Sequence, residues 1–98
     1  MKTPAEACGA WAAVAYRCAT VAGCDSRAFT RLIEAFARAP RRNFAVLNRE
    51  LMQAIARLPE PERAQWLDRL AEHAPDELPE RLNAAQESEF WTAYYKAV

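Results

Sequence analysis

The chain has 98 residues, with thirteen lysines and arginines against thirteen aspartates and glutamates, so its formal net charge is zero. A chain of this length makes one domain, and we predict a single helical domain over residues 1–98. It contains only two glycines, and no stretch alternates apolar and polar residues as a half-buried strand does. No apolar run approaches the ~18 residues of a membrane span, and nothing resembles a secretory signal, so we expect a cytoplasmic protein without membrane contact.

The first predicted helix begins at a capping box, Thr3-Pro4-Ala5-Glu6, and runs to about Ala22, where Gly23 supplies a stop. Its apolar stripe consists mostly of small residues and contains one large side chain, Trp11. The stripe consists of Cys8, Trp11, Val14, Ala15, Cys18, Val21 and Ala22. Two of its cysteines lie about 15 Å apart along a continuous helix, too far for a disulfide, and we interpret them as inert small apolar side chains.

The second predicted helix has the clearest amphipathic pattern in the chain. Asp25 or Ser26 caps it, and it ends before Pro40. Its predicted core face is Phe29, Leu32, Ile33 and Phe36, and its outer arc is Arg27, Thr30, Arg31, Glu34 and Arg38. The spacing of Glu34 and Arg38 allows an ion pair on that arc.

The stretch from Asn43 to Leu58 is the predicted central helix, with Asn43 as a possible cap and Pro59 after its end. Its stripe is Phe44, Leu47, Leu51, Ala54, Ile55 and Leu58. Apolar residues also lie off this stripe, which is typical of a helix with several neighbours. We therefore predict that this helix lies at the heart of an all-α bundle of about five short helices.

Two further helices are predicted after Pro59. The first begins at Pro59-Glu60-Pro61-Glu62 and runs to about Ala74, with an apolar face of Trp66, Leu67, Leu70, Ala71 and Ala74. In the following segment Leu78, Leu82 and Ala85 share a stripe. The pattern predicts a break at about 84–88, with Ser88 as a possible cap of a last short helix.

The sequence predicts no catalytic residues, no metal site and no cofactor. The single histidine, His73, lies in the last turn of the fourth predicted helix, where a positive charge is favourable without any catalytic role. The chain has no glycine-rich phosphate loop and no pair of Glu-x-x-His motifs. We therefore expect a protein that is not an enzyme.

Charge is unevenly distributed along the chain. Residues 26–58 carry seven arginines and two glutamates, a net +5, whereas residues 59–98 carry nine acids and four bases, a net −5. The two halves could neutralise each other across helix faces. Alternatively, arginines of the second and third helices could bind a nucleic-acid backbone with little sequence preference. This predicted nucleic-acid surface consists of Arg31, Arg38, Arg41, Arg42 and Arg49.

Four aromatic residues crowd the C-terminal segment and form the predicted partner-binding set: Phe90, Trp91, Tyr94 and Tyr95. Most of them could pack onto the core, but any exposed side would present the residue types that dominate protein interfaces. The leading functional prediction is a non-enzymatic protein-binding module, a small adaptor, regulator or inhibitor that docks on a larger macromolecule. A homodimer is compatible with this function and with nucleic-acid binding.

Overall fold

The computed structural model describes residues 2–98, and this part of the chain folds into five α-helices without strands. These are α1 (Pro4–Val21), α2 (Ser26–Arg38), α3 (Pro40–Ile55), α4 (Glu60–Glu72) and α5 (Ala84–Ala97). The prediction of an all-α bundle of about five helices is confirmed.

Local signals set both ends of α1. The Thr3 hydroxyl accepts a hydrogen bond from the Glu6 N–H (3.2 Å), and the Glu6 carboxylate accepts one from the Thr3 N–H (3.1 Å), which completes the predicted capping box. At the other end Gly23 adopts a φ of 82°, and the Cys24 N–H donates to the Ala19 carbonyl (2.9 Å). This left-handed stop suits glycine because glycine has no Cβ to clash there.

The central helix of the fold is α1, which packs against all four other helices, whereas α3 packs chiefly against α1 and α2. The prediction that the 43–58 helix is central is therefore wrong. Small residues allow several neighbouring helices to approach α1. Its buried residues accordingly lie on all sides of the helix rather than along one stripe. They are Ala5, Cys8, Gly9, Ala10, Trp11, Ala12, Ala13, Val14, Ala15, Cys18 and Ala19. In contrast, Val21 of the predicted stripe is 57% exposed.

The helix α3 begins three residues before Asn43 and ends at Ile55, three residues before the predicted end at Leu58. Four residues of its predicted stripe are buried in the helix, namely Leu47, Leu51, Ala54 and Ile55. Phe44 is half-buried, and Leu58 is buried after the helix has ended. Asn43 does not cap α3. Its side-chain amide instead donates to the carbonyls of Ala35 (3.0 Å) and Ala39 (3.1 Å) and so satisfies the C-terminal end of α2. The tight connection between the two helices therefore consists of little more than Ala39.

The core is aromatic where α1, α2, α3 and α5 meet. The rings of Trp11, Phe36 and Phe44 lie 5.3–6.2 Å apart between centroids, and Phe36 also contacts Phe90 edge-on at 6.0 Å. By comparison α4 is thinly packed, since Leu70 is its one buried residue and Leu67 is 44% exposed. The predicted apolar face of α4 is therefore only partly used.

The segment between α4 and α5 is an irregular loop that is hydrogen-bonded to the α2–α3 junction. The Arg41 N–H donates to the Pro79 carbonyl (3.1 Å), and the Leu82 N–H donates to the Arg38 carbonyl (3.0 Å). The predicted break at 84–88 and the Ser88 cap are wrong, because Asn83 starts α5 through a capping box with Gln86. The sequence pattern missed this start because Leu78 and Leu82 have helical spacing but lie in the loop before α5.

Candidate functional site

The four C-terminal aromatic residues divide between core and surface. Phe90 is completely buried and Tyr94 is 5% exposed, so both are core residues, and of the two only Tyr94 contributes to the lining of the surface groove. Trp91 is half-buried, and Tyr95 is 69% exposed. The predicted partner-binding set is thereby reduced to Trp91 and Tyr95 on the surface.

Tyr95 and Trp91 line a groove of about 510 Å³ between α1, α2 and α5. We call it the aromatic groove; its lining residues are Tyr16, Thr30, Glu34, Trp91, Tyr94, Tyr95 and Val98. The Tyr95 ring stacks on Trp91 at 5.8 Å and meets Tyr94 edge-on at 5.1 Å. These ring contacts hold an exposed aromatic side chain in place, which lowers the entropy cost of binding.

Tyr16 belongs to this groove and was missed in the sequence. It lies on α1, and its ring meets Tyr94 edge-on at 6.3 Å. The residue stands outside the predicted α1 stripe and is about 80 positions away from the C-terminal aromatics. An aromatic residue off the core stripe was the available signal, but only the packing of α1 on α5 pairs it with Tyr94.

Glu34 on α2 is the one residue with an acidic side chain among those that line the aromatic groove. The ion pair with Arg38 that the spacing allows does not form, since no arginine nitrogen lies within 4.0 Å of Glu34 in residues 2–98. Burial raises the pKa of Tyr94 to about 12, so the phenol at the base of the groove stays neutral at physiological pH. The groove therefore carries a net negative charge on an aromatic surface.

The predicted nucleic-acid residues are all exposed but do not form one compact site. Arg38 is the last residue of α2, and Arg41 and Arg42 lie in the first turn of α3, so all three flank the α2–α3 junction. Arg31 lies about two turns earlier on α2, and Arg49 lies about two turns into α3, where it pairs with Glu50 at 3.7 Å.

A second pocket of about 420 Å³ opens beside this junction. We call it the arginine pocket; it is lined by Ala39, Arg41, Arg42, Glu80 and Arg81. Arg81 was missed because it belongs to the acidic end of the sequence, and the loop before α5 places it beside Arg41 and Arg42 at the α2–α3 junction. The Arg49–Glu50 pair is local, and the described chain contains no ion pair that joins the basic middle to the acidic end.

The other chemically distinctive residues have structural surroundings. Cys8 and Cys18 are fully buried, and burial raises the pKa of each thiol to about 11, which suppresses the reactive thiolate. His73 ends α4, and its Nδ1 lies 3.0 Å from the Arg69 carbonyl oxygen. Residues 2–98 contain no group of three or more His, Cys, Asp or Glu side chains placed to hold a metal ion.

Within the described residues no helix has both the length and the apolar character needed to cross a membrane. Comparison of the chain with protein-family models, with curated proteins and with solved structures gave no match.

Proposed function

We propose that the protein is a non-enzymatic protein-binding module whose aromatic groove docks a basic segment of a larger protein partner. The observation that carries this proposal is the exposed Tyr95 ring, stacked on Trp91 beside the unpaired carboxylate of Glu34. Tyrosine and tryptophan dominate interface hot spots because they contribute a large contact area at a low entropy cost.

The charge of the groove selects the chemistry of the partner. An arginine or lysine side chain can lie over the aromatic rings while its cationic head pairs with Glu34. An exposed cation–π contact contributes ~0.5–1 kcal/mol, and more when it is desolvated. Arginine fits best because its planar guanidinium also stacks on aromatic faces. A small adaptor, regulator or inhibitor would use such a groove to hold its target.

A second candidate function is nucleic-acid binding through the phosphate backbone. It is supported by Arg41 and Arg42, which are adjacent and exposed at the α2–α3 junction. The outlying Arg31 and Arg49 would add contacts only to a ligand that extends along both helices. Cytoplasmic localisation and homodimer formation are further proposals, compatible with both functions.

A peptide library with one fixed arginine and random flanking residues tests the proposed function, because the proposal specifies a basic side chain but not the sequence around it. A matched library carries glutamine at the fixed position. We expect the immobilised protein to enrich the arginine library, and an enriched peptide to bind in fluorescence anisotropy. Tyr95→Ala should weaken that peptide about thirtyfold, since a hot-spot side chain contributes ~2 kcal/mol. Glu34→Gln should weaken the arginine peptide but not its glutamine counterpart.

The matched control is Thr92→Ala, an exposed position of α5 that lies outside the aromatic groove. This variant should bind as the wild type does, and all three variants should keep the wild-type urea midpoint. Equal enrichment of the two libraries would overturn the basic partner. If Tyr95→Ala binds the peptide with wild-type affinity, the aromatic groove is not the binding site. If the wild-type protein self-associates with rising concentration and Tyr95→Ala does not, the occupant of the groove is a second copy of this chain rather than another protein.

A further inference from the structure

The arginine pocket is a second site, separate from the aromatic groove, and three arginines contribute to its lining. Arg41 and Arg42 belong to the first turn of α3, and Arg81 comes from the loop before α5. These residues lie up to 40 positions apart in the chain. The tertiary fold therefore builds this pocket, which no run of basic residues could do alone.

Three hydrogen bonds organise the pocket before any ligand arrives. Backbone bonds from Arg41 to Pro79 (3.1 Å) and from Leu82 to Arg38 (3.0 Å) hold the loop against the α2–α3 junction. The Arg41 side chain also donates from Nε to the Leu78 carbonyl (3.1 Å). This bond orients the Arg41 guanidinium and leaves its two terminal NH₂ groups for a ligand.

The positive charge of the pocket is not neutralised. Three guanidinium groups and the single carboxylate of Glu80 leave a net charge of +2 in the lining. No carboxylate oxygen lies within 4.0 Å of a guanidinium nitrogen of Arg41, Arg42 or Arg81 anywhere in residues 2–98. In addition, α3 begins here without a side-chain cap or an acidic residue in its first turn, so the positive end of its dipole adds to the same field.

We propose that the arginine pocket binds a phosphate group, with Arg42 and Arg81 as its main ligands and Arg41 as an oriented third donor. Guanidinium groups donate two parallel hydrogen bonds to phosphate oxygens, and several of them together offset its charge. This proposal does not depend on the aromatic groove. Compared with the second candidate function, it restricts the contact to a single phosphate group in the arginine pocket and includes Arg81 among the residues that bind it.

The test is a titration with inorganic phosphate, followed by NMR of the arginine Nε–H signals at constant ionic strength. We expect saturable shifts at Arg41, Arg42 and Arg81. The double variant Arg42→Gln/Arg81→Gln should weaken binding at least tenfold. The control variant Arg49→Gln should not, because Arg49 lies outside the pocket and pairs with Glu50. Shifts reproduced by chloride, or an unchanged affinity in the double variant, would overturn the proposal.

The source of the phosphate is distinguished by fluorescence anisotropy with single-stranded DNA, duplex DNA and RNA at low and at physiological salt. Binding that weakens steeply with salt, and is lost in Arg42→Gln/Arg81→Gln, identifies a phosphodiester of a polynucleotide. Saturable phosphate binding without oligonucleotide binding identifies a terminal phosphate of a small molecule. Oligonucleotide binding that the double variant retains, without phosphate shifts in the pocket, would place the contact elsewhere and overturn the proposal. Failure of either arm leaves the peptide-library result for the aromatic groove unaffected.

Discussion

At the residue scale, Gly9 shows how close the backbones of α1 and α5 come. A methyl group added at Gly9 would overlap with the carbonyl oxygen of Phe90. Since that oxygen belongs to the backbone of α5, no side-chain rotation relieves the overlap, and a whole helix has to shift. Gly9 is therefore required for the packing that places Trp91 and Tyr95 beside Tyr16.

We predict that Gly9→Ala lowers the free energy of unfolding by about 3 kcal/mol, the upper part of the range for overpacked cores. The gain of ~1 kcal/mol in helix propensity from alanine is too small to offset this loss. Urea denaturation followed by far-UV circular dichroism measures the change. The comparison variant is Gly23→Ala, where a Cβ meets no neighbour and the cost is only the left-handed φ, about 1–2 kcal/mol. A smaller loss at Gly9 than at Gly23 would contradict the close approach of the helices.

At the scale of the helix, a capping box sets the start of α5, the helix that carries Trp91 and Tyr95. The Asn83 side chain accepts a hydrogen bond from the Gln86 N–H (2.9 Å), and the Gln86 side chain accepts one from the Asn83 N–H (2.9 Å). Ser88 lies inside the helix and is exposed. The start of the helix thus depends on Asn83, five residues before the predicted cap at Ser88.

Asn83→Ala should lower the free energy of unfolding by ~1 kcal/mol, because an unpaired N–H is left at the first turn of α5. Ser88→Ala should change it by no more than ~0.5 kcal/mol, as expected for an exposed position without a structural contact. Chemical denaturation of the two variants under the same conditions compares them directly. A larger loss for Ser88→Ala would indicate that the last helix begins at Ser88 instead.

At the scale of the whole molecule, two buried thiols and one buried phenol make the folded state less stable at alkaline pH. Burial raises the pKa of the Cys8 and Cys18 thiols from 9.0 to about 11 and that of Tyr94 from 10.0 to about 12. In the unfolded chain these groups return to their ordinary values. Above about pH 9 the unfolded chain therefore releases protons that the folded chain retains, which favours unfolding.

We predict that the free energy of unfolding is independent of these groups below about pH 9 and falls as the pH rises toward about 11–12. Urea midpoints measured across this range test the prediction. The double variant Cys8→Ala/Cys18→Ala should show a shallower fall, with the contribution of Tyr94 remaining. A wild-type midpoint that stays constant through the titration range would show that the thiols ionise as readily in the folded chain as in the unfolded one.

The fold class and most helix positions could be predicted because helix signals are local. The capping box at Thr3, the cap at Asp25 and the proline after Leu58 each act within about four residues, the range of a helical hydrogen bond. The amphipathic stripes of α2 and α3 are similarly contained in one helix. Where α4 ends and a loop begins, the same apolar spacing was misleading, because Leu82 is buried without being helical.

The position of α1 at the centre and the composition of both surfaces followed from contacts between distant parts of the chain. Burial of α1 on all sides depends on small residues that several helices approach at once, which no single stripe reveals. Tyr16 meets Tyr94, and Arg81 joins Arg41, only because α5 packs on α1 and the preceding loop bonds to the α2–α3 junction. Periodicity along the chain identifies which face of a helix is apolar. Shape and backbone hydrogen bonding between helices determine which neighbour covers that face and which polar side chains meet beside it.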